Sequence, residues 1–254
     1  MTKDAVLAIL RKENDYISGE HISRLLGVSR AAVNTAVKAL RAEGYEISSS
    51  TNKGYHLDAV PNSISAQELA AYLDEARMQT VECLASVDST NNRLRELALA
   101  GAPNGQVVLA NEQTRGKGRR GRAFASPQDN GIYLSILFHP DTLPTDIVEI
   151  TAWTAVATNN AIEEVCGVRA GIKWVNDLVI DRKKICGILT EMSVESESGY
   201  IQYLIIGIGI NVNGQAEDFP AEIRSTATSL AMETGKTHSR AALAAALIRE
   251  LDSM

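Results

Sequence analysis

Cysteine is scarce, with only Cys83, Cys166 and Cys186 in 254 residues. The number is odd and no pair has C-x-x-C spacing, which excludes a disulfide framework or a thiolate zinc site and fits buried thiols in a reduced compartment. His21, His56, His139 and His238 are scattered, so a histidine metal centre is not expected. The chain lacks a secretory leader and any apolar run that approaches a membrane span, so the expectation is a cytoplasmic protein with no membrane partner. It also lacks internal repeats and low-complexity tracts. A net charge of −6 excludes a generally basic nucleic-acid binder. Charge is unevenly spread, however: residues 1–60 hold 8 Lys/Arg against 7 Asp/Glu.

What stands out instead is Arg115-Gly116-Lys117-Gly118-Arg119-Arg120-Gly121-Arg122, five cations and three glycines in a row. Nothing in it is apolar, so it cannot be core. Gly116, Gly118 and Gly121 spell G-x-G-x-x-G, but a dinucleotide fingerprint needs a strand directly before and a helix directly after. Here Asn111–Thr114 separates the loop from the apolar run Val107–Ala110, and the turn-rich Phe124–Gly131 follows. Two readings stay open: a solvated basic loop, or a loop that grips an anion through Arg forks and glycine backbone N–H groups. The second is preferred.

The first sixty residues predict a winged helix-turn-helix. Val6, Leu7, Ile9 and Leu10 recur at helical spacing. Ser18 caps a second helix with Ile22, Leu25 and Leu26 as its apolar stripe, and Gly27 ends it. Ser29 caps a third helix, to about Gly44, with Val33, Val37 and Leu40 inward and Arg30, Asn34, Lys38 and Arg41 on the opposite side. Between Arg24 and Ala42 lie four cations and no acid, a field suited to DNA phosphates. A hairpin turning near Asn52-Lys53-Gly54 forms the wing and brings Lys53 to the backbone. A three-helix scaffold for a protein partner is the competing reading. The expected domains are 1–60, a linker over 61–66 with Pro61 as the stop, and 67–254.

The second domain predicts α+β: a mixed or antiparallel sheet covered by helices at 66–77, 91–101, 145–166 and 238–251. Strands are expected at Val81–Val87, at Val107–Ala110, at the alternating, half-buried Ile132, Leu134, Ile136 and Phe138, in a hairpin through Lys184, and at Tyr200–Ile210. Ser89 and Thr90, at a strand-to-helix corner, are either N-caps or hydroxyls for a polar ligand.

Several pieces together resemble the biotin protein ligases of the bifunctional type that also represses the biotin operon. They are Asp88-Ser89-Thr90-Asn91, Gln113-Thr114 with the basic loop, Lys173-Trp174-x-Asn176-Asp177, Lys184-x-x-Gly187-Ile188-Leu189 and Gly207-x-Gly209-Ile210-Asn211. The resemblance implies a class II aminoacyl-tRNA-synthetase-like ligase fold. It implies biotin, ATP and Mg2+ as cofactors, biotinyl-adenylate as intermediate, and transfer to a Lys of a biotin carboxyl carrier protein of acetyl-CoA carboxylase or a related carboxylase. Operator DNA and a ligand-promoted homodimer are the other implied partners. By resemblance Ser89, Thr90, Asn91, Gln113, Gly116, Lys117, Gly118, Arg119 and Lys184 bind biotin. Arg119, Arg120, Arg122, Asn176 and Asn211 bind ATP or adenylate, Lys184 and Arg119 are catalytic, and Asp177 places the Mg2+. Trp174 is either a ring near the biotin or a core residue.

Three positions depart from the family pattern: Val175 for Pro, Lys117 for Arg, Phe124 for Trp. The family's small C-terminal SH3-like barrel is expected to be absent or truncated, because the sequence stops at Leu251-Asp252-Ser253-Met254. A lipoate-type ligase and a non-catalytic ligand-sensing repressor are the alternatives. The fused helix-turn-helix and the double-glycine basic loop favour biotin, and Lys184 with the Arg-rich loop favours catalysis.

Overall fold

The computed structural model describes residues 2–147 and 149–254. The chain divides into two compact units, Met1–Asn62 and Ser63–Met254.

The first unit has helices α1 (Thr2–Lys12), α2 (Gly19–Leu26) and α3 (Arg30–Ala42) and a hairpin of β1 (Glu46–Ser50) and β2 (Gly54–Ala59). Ser18 accepts from the His21 N–H and Ser29 from the Ala32 N–H, so both expected caps form. Gly27 turns the chain between α2 and α3 at φ 64°. Val6, Leu10, Ile22, Val33, Val37 and Leu40 make the core. Leu25 does not join them and is 57% exposed. Ile22 is core and Leu26 packs against it, so α2 is rotated to put its Ile22–Leu26 edge inward and Leu25 on the rim of the stripe. Ile17 pairs with Tyr55 through two backbone hydrogen bonds of 2.9 Å, which roots the wing against the helices. A Cβ on Gly54 would run into the Ile17 backbone, and φ there is 113°.

The second unit is a seven-stranded mixed sheet. Its strands are β3 (Val81–Leu84), β4 (Val107–Ala110), β5 (Gly131–Phe138), β6 (Gly171–Lys173), β7 (Asp177–Ile180), β8 (Lys183–Val194) and β9 (Ile201–Asn211). Their order is β3-β4-β5-β9-β8-β7-β6, with only β3 and β4 parallel. The helices are α4 (Ala66–Leu69), α5 (Glu75–Met78), α6 (Thr90–Leu99), α7 (Ile150–Cys166), α8 (Leu230–Thr234) and α9 (Arg240–Asp252). The α+β architecture expected from the sequence is the one observed. The helix expected over 66–77 is two, because Asp74 accepts from the Arg77 N–H and starts α5 afresh. The helix expected over 145–166 is a 3-10 turn at Pro144–Ile147 and then α7, with residue 148 outside the described residues.

β5 is not half-buried as expected but buried from Gly131 to Leu137. Helices lie on both of its sides. Ile132, Leu134 and Ile136 share one core with α7 and α9, while Leu137 packs with Leu94 and Ala98 of α6. Cys166 and Cys186 are buried, Cys83 is half-buried, and all three are free thiols. Burial pushes Cys83 up to about 11 and Cys186 up to about 12.

At the start of α9, Arg240 is 0% exposed. Its guanidinium donates to the Gly131 carbonyl at 2.7 Å, to Asp129 at 3.0 Å and to the Asn111 side-chain oxygen at 3.0 Å. Asn111 and Asp129 are the two feet of the basic loop, and the Asp129 N–H bonds the Asn111 carbonyl at 3.1 Å. Without the arginine, Asn111 Oδ1 keeps the Ile64 N–H at 2.9 Å and Asp129, 48% exposed, turns to water, so the Gly131 carbonyl and the vacated space carry the cost. We expect Arg240→Ala to cost about 1–3 kcal/mol, read as a lower midpoint for the second unit in urea unfolding followed by circular dichroism. An unchanged midpoint would show that the clamp is dispensable.

Candidate functional site

The site lies on the sheet face that α6 covers only in part. β9 reads Ile206-Gly207-Ile208-Gly209-Ile210, and the period of two sends its isoleucines into the core with α7 and α9. The glycines line a cleft on the other face, opposite Gly187 and Leu189 of β8 in register. A Cβ on Gly207 would collide with the Asn91 amide, and one on Gly209 with the Phe124 ring. The missing side chains therefore make the floor of the cleft.

One wall is a buried polar chain at the N-terminus of α6. Ser89, Thr90 and Asn91 are at most 3% exposed and line the cleft. Ser89 occupies the N-cap position without capping. The Gln113 side-chain oxygen accepts from the Thr90 N–H at 2.9 Å and the Thr90 hydroxyl at 3.1 Å. Gln113 Nε2 donates to Ser126 at 2.9 Å. Ser135, fully buried on β5, has its hydroxyl 2.7 Å from Thr90 Oγ1 and 2.6 Å from Asn91 Oδ1.

The basic loop forms the opposite wall and is itself a small hairpin. Gly118 N–H bonds Arg122 O at 2.7 Å and Phe124 N–H bonds Gly116 O at 2.9 Å. Gly116 is fixed by that approach, since a Cβ would strike the Phe124 carbonyl. Lys117, Gly118 and Arg119 line the cleft. Lys117 donates to Asn92 Oδ1, and Arg119 to Asn176 Oδ1 at 3.1 Å. Gly116, Arg120 and Arg122 do not line the cleft. They border a groove on the other side of the loop, with Leu189 and Glu191. Arg115 is 79% exposed and pairs with Asp88 at 3.2 Å. The Asn92 amide, helped by the Ser89 N–H and the Arg115 and Lys117 charges, holds the Asp88 carboxyl below the usual carboxylate range.

The third wall carries Lys184, whose Nζ is 2.6 Å from Asp177 Oδ1 and 5.8 Å from the centre of the Phe124 ring. Gly187 leaves room for this, because a Cβ there would lie 2.8 Å from Nζ. Lys184 and Asp177 thus form an ion pair, with side chains 35% and 22% exposed. Asn176 lines the cleft beside Arg119, whereas Asn211 does not. Asn211 instead donates to the Thr228 carbonyl at 3.0 Å and the Lys184 carbonyl at 3.4 Å, bracing the strand end that holds Lys184. Trp174 is 75% exposed, which removes the core alternative, and it does not line the cleft. Its peptide bond to Val175 is cis. Ser135, Ser126, Asn92, Glu191 and Arg95 were not foreseen. Ser135 carries a sequence signal, as the one hydroxyl among the aliphatic residues of Leu134–Leu137 on β5.

In the first unit, Arg30, Asn34 and Lys38 are exposed along α3. Arg30 and Asn34 border a groove with the wing residues Ser49, Thr51 and Asn52. Asn34 also donates to the Tyr55 hydroxyl at 3.1 Å. Lys53, on the wing turn, stands 5.8 Å from the Tyr16 ring. Arg41 is engaged elsewhere: it donates to the Ile47 carbonyl at 2.9 Å and to Ser49 at 2.6 Å, tying α3 to the wing.

The sequence profile of the biotin/lipoate A/B protein ligase family matches residues 83–211, and that of a helix-turn-helix domain matches residues 2–56. The chain is 40% identical to the bifunctional ligase/repressor BirA of Bacillus subtilis (strain 168), over 95% of its own length and 74% of that protein's. It is 29% identical to the bifunctional ligase/repressor BirA of Escherichia coli (strain K12), over 96% and 74%. Among solved structures, a biotin protein ligase from Aquifex aeolicus in complex with biotin and ATP superposes with a TM-score of 0.58 at 31% identity, over 68% of each chain. With the profile, the near full-length similarity and the cleft in agreement, the chain belongs to the biotin/lipoate A/B protein ligase family.

Proposed function

We propose that this chain is an ATP-dependent biotin protein ligase that also acts as a biotin-responsive repressor. The observation that carries the reading is the convergence of Lys117, Arg119 and Lys184 on the cleft that also exposes the Ser89–Thr90–Asn91 wall. Biotin ends in a carboxylate and begins in a cyclic urea that both donates and accepts hydrogen bonds. The urea matches the hydroxyl and amide wall, and the dithiolane of lipoate would leave that wall without partners. The carboxylate matches the cations.

The chemistry joins two anions. A biotin carboxylate oxygen attacks the α-phosphorus of ATP, the bond to the bridging oxygen breaks, and pyrophosphate leaves. The ε-amine of a carrier-protein lysine then attacks the acyl carbon, and AMP departs with the electron pair of the broken C–O bond. Lys117 and Arg119 offset the repulsion between the reactants, and Lys184 meets the charge that grows on the pentacovalent phosphorus. Asn176 steers Arg119. Among the described residues no cluster of three metal-ligating side chains exists. Asp177, ion-paired with Lys184 at 2.6 Å beside the cleft, would supply the one protein carboxylate for a Mg2+ whose other ligands the nucleotide and water provide. When bound, that ion would shield the triphosphate charge.

Repression belongs to the first unit, with Arg30, Asn34 and Lys38 for the major groove and Lys53 for the DNA backbone. So few cations on one module bind weakly, so two copies on an inverted repeat are needed for useful affinity. We infer that bound adenylate promotes the pairing by ordering and neutralising the basic loop.

We expect Lys184→Ala to slow pyrophosphate release from biotin and ATP by about 10²-fold or more while biotin binding changes little. A rate within about threefold of the wild type would sink the catalytic assignment. Operator affinity measured by fluorescence anisotropy should rise when biotin and ATP are both present and fall with Arg30→Ala or Lys38→Ala. Superimposable curves with and without the two ligands would refute the coupling.

A further inference from the structure

Glu191 has no part in the chemistry above, yet the polar wall of the cleft is built against it. Its side chain is 27% exposed and projects from β8. Oε2 accepts from Asn91 Nδ2 at 2.7 Å. Oε1 accepts from Arg95 at 2.9 Å and lies 4.0 Å from Lys117 Nζ.

A carboxylate only accepts, so it decides which end of the Asn91 amide turns toward it. The NH2 end faces Glu191 and Oδ1 faces Ser135. The glycine at 207 leaves the amide room for this setting. Ser135 then has one proton and two acceptors in reach, Asn91 Oδ1 and Thr90 Oγ1. The Thr90 proton is spent on Gln113. One proton between two acceptors leaves a lone pair unmet on Thr90 or Asn91, and both residues line the cleft.

We propose that Glu191 is a specificity-determining residue: by locking the Asn91 amide it makes the cleft wall an acceptor for a ring N–H of the bound ligand. The assignment rests on the biotin reading. A glutamine at 191 releases the lock, because its own amide can donate to Asn91 Oδ1. Asn91 then turns its NH2 toward Ser135, the Ser135 proton settles on Thr90, and the wall loses the acceptor that Asn91 supplied.

The test is titration calorimetry of the full chain with biotin and with the two cyclic carbamates in which one or the other ring N–H of biotin is replaced by oxygen. The wild type should prefer biotin over one carbamate by about tenfold or more, since that analogue sets oxygen against the free lone pair. In Glu191→Gln, biotin affinity should fall about tenfold and the preference should collapse toward parity. Arg95→Gln removes another partner of Glu191 without releasing Asn91 and should keep the preference. Ser135→Ala removes the shared proton, frees both acceptors, and should keep or raise the preference. A Glu191→Gln protein with the wild-type preference overturns the assignment, as does Arg95→Gln losing it to the same extent. Should Glu191→Gln fail to fold, a loss of preference in Ser135→Ala overturns it alone. A wild type that binds biotin without preference defeats this inference only, whereas one that binds no biotin defeats the functional reading with it.

Discussion

Everything at the cleft depends on one strand having two different faces. β9 must press isoleucines into the α7 and α9 core on one side and present no side chain on the other. A β-strand alternates faces every residue, so the requirement becomes a strict Ile–Gly alternation from Ile206 to Ile210. Glycine is disfavoured in strand interiors. Here it sits in the middle of the sheet, paired with β5 and β8. Two ladders and a continuous apolar face offset its cost. The room gained is filled by groups from elsewhere: the Asn91 amide over Gly207, the Phe124 ring over Gly209 and the Lys184 ammonium over Gly187.

The second constraint is electrostatic. Cations must stand together before any anion arrives, without unfolding the loop that carries them. The structure gives the inward ones distant or neutral partners. Lys117 rests on the Asn92 amide, with the Glu191 carboxylate 4.0 Å away, and Arg119 on the Asn176 amide. A neutral amide holds a cation in place but leaves its charge uncancelled, so an incoming carboxylate or phosphate gains nearly the full interaction. Arg115 has a carboxylate, Asp88, and points away from the cleft. The pattern separates loop cations that hold the loop from those kept available for ligand.

Much of this was legible in the sequence because it rests on local rules. Ser18, Ser29 and Gly27 fixed the first helices, and five short motifs marked the cleft residues. Failures came where tertiary context overrode a local pattern. Leu25 looked like part of a stripe, but the rotation of α2 on its neighbours brings only Ile22 and Leu26 to the core, and spacing alone does not fix that rotation. β5 read as half-buried because only one of its faces is purely aliphatic, while the other carries Tyr133, Ser135 and Leu137 beneath α6 and the cleft. Arg41 looked like its neighbours on α3, and only the position of the wing explains why its guanidinium is engaged. Charge density alone could not separate Arg119, which lines the cleft, from Arg120 one residue later, where the backbone turns left-handed at φ 57°.

Lys184 shows how the two constraints meet. An ammonium beside a carboxylate would ordinarily be a settled ion pair, with little charge left to offer. At 2.6 Å Asp177 takes up one side of the ammonium, but the Lys184 side chain is still 35% exposed and keeps N–H donors for another oxygen. The Phe124 ring lies on the same side of Lys184, and the bare floor at Gly187 lets the aliphatic stem lie flat on the sheet. Behind it, the strand end is pinned by backbone bonds to Thr226 and Thr228 and by the Asn211 amide. The side chain can therefore trade one oxygen for another by a small rotation at its tip while its backbone stays fixed. In the catalytic role proposed for Lys184, the ammonium would follow charge from the carboxylate to the phosphoryl oxygens to the leaving oxygen, and that role needs this freedom. A rigid, bidentate Arg in the same place would hold one geometry well and the others poorly.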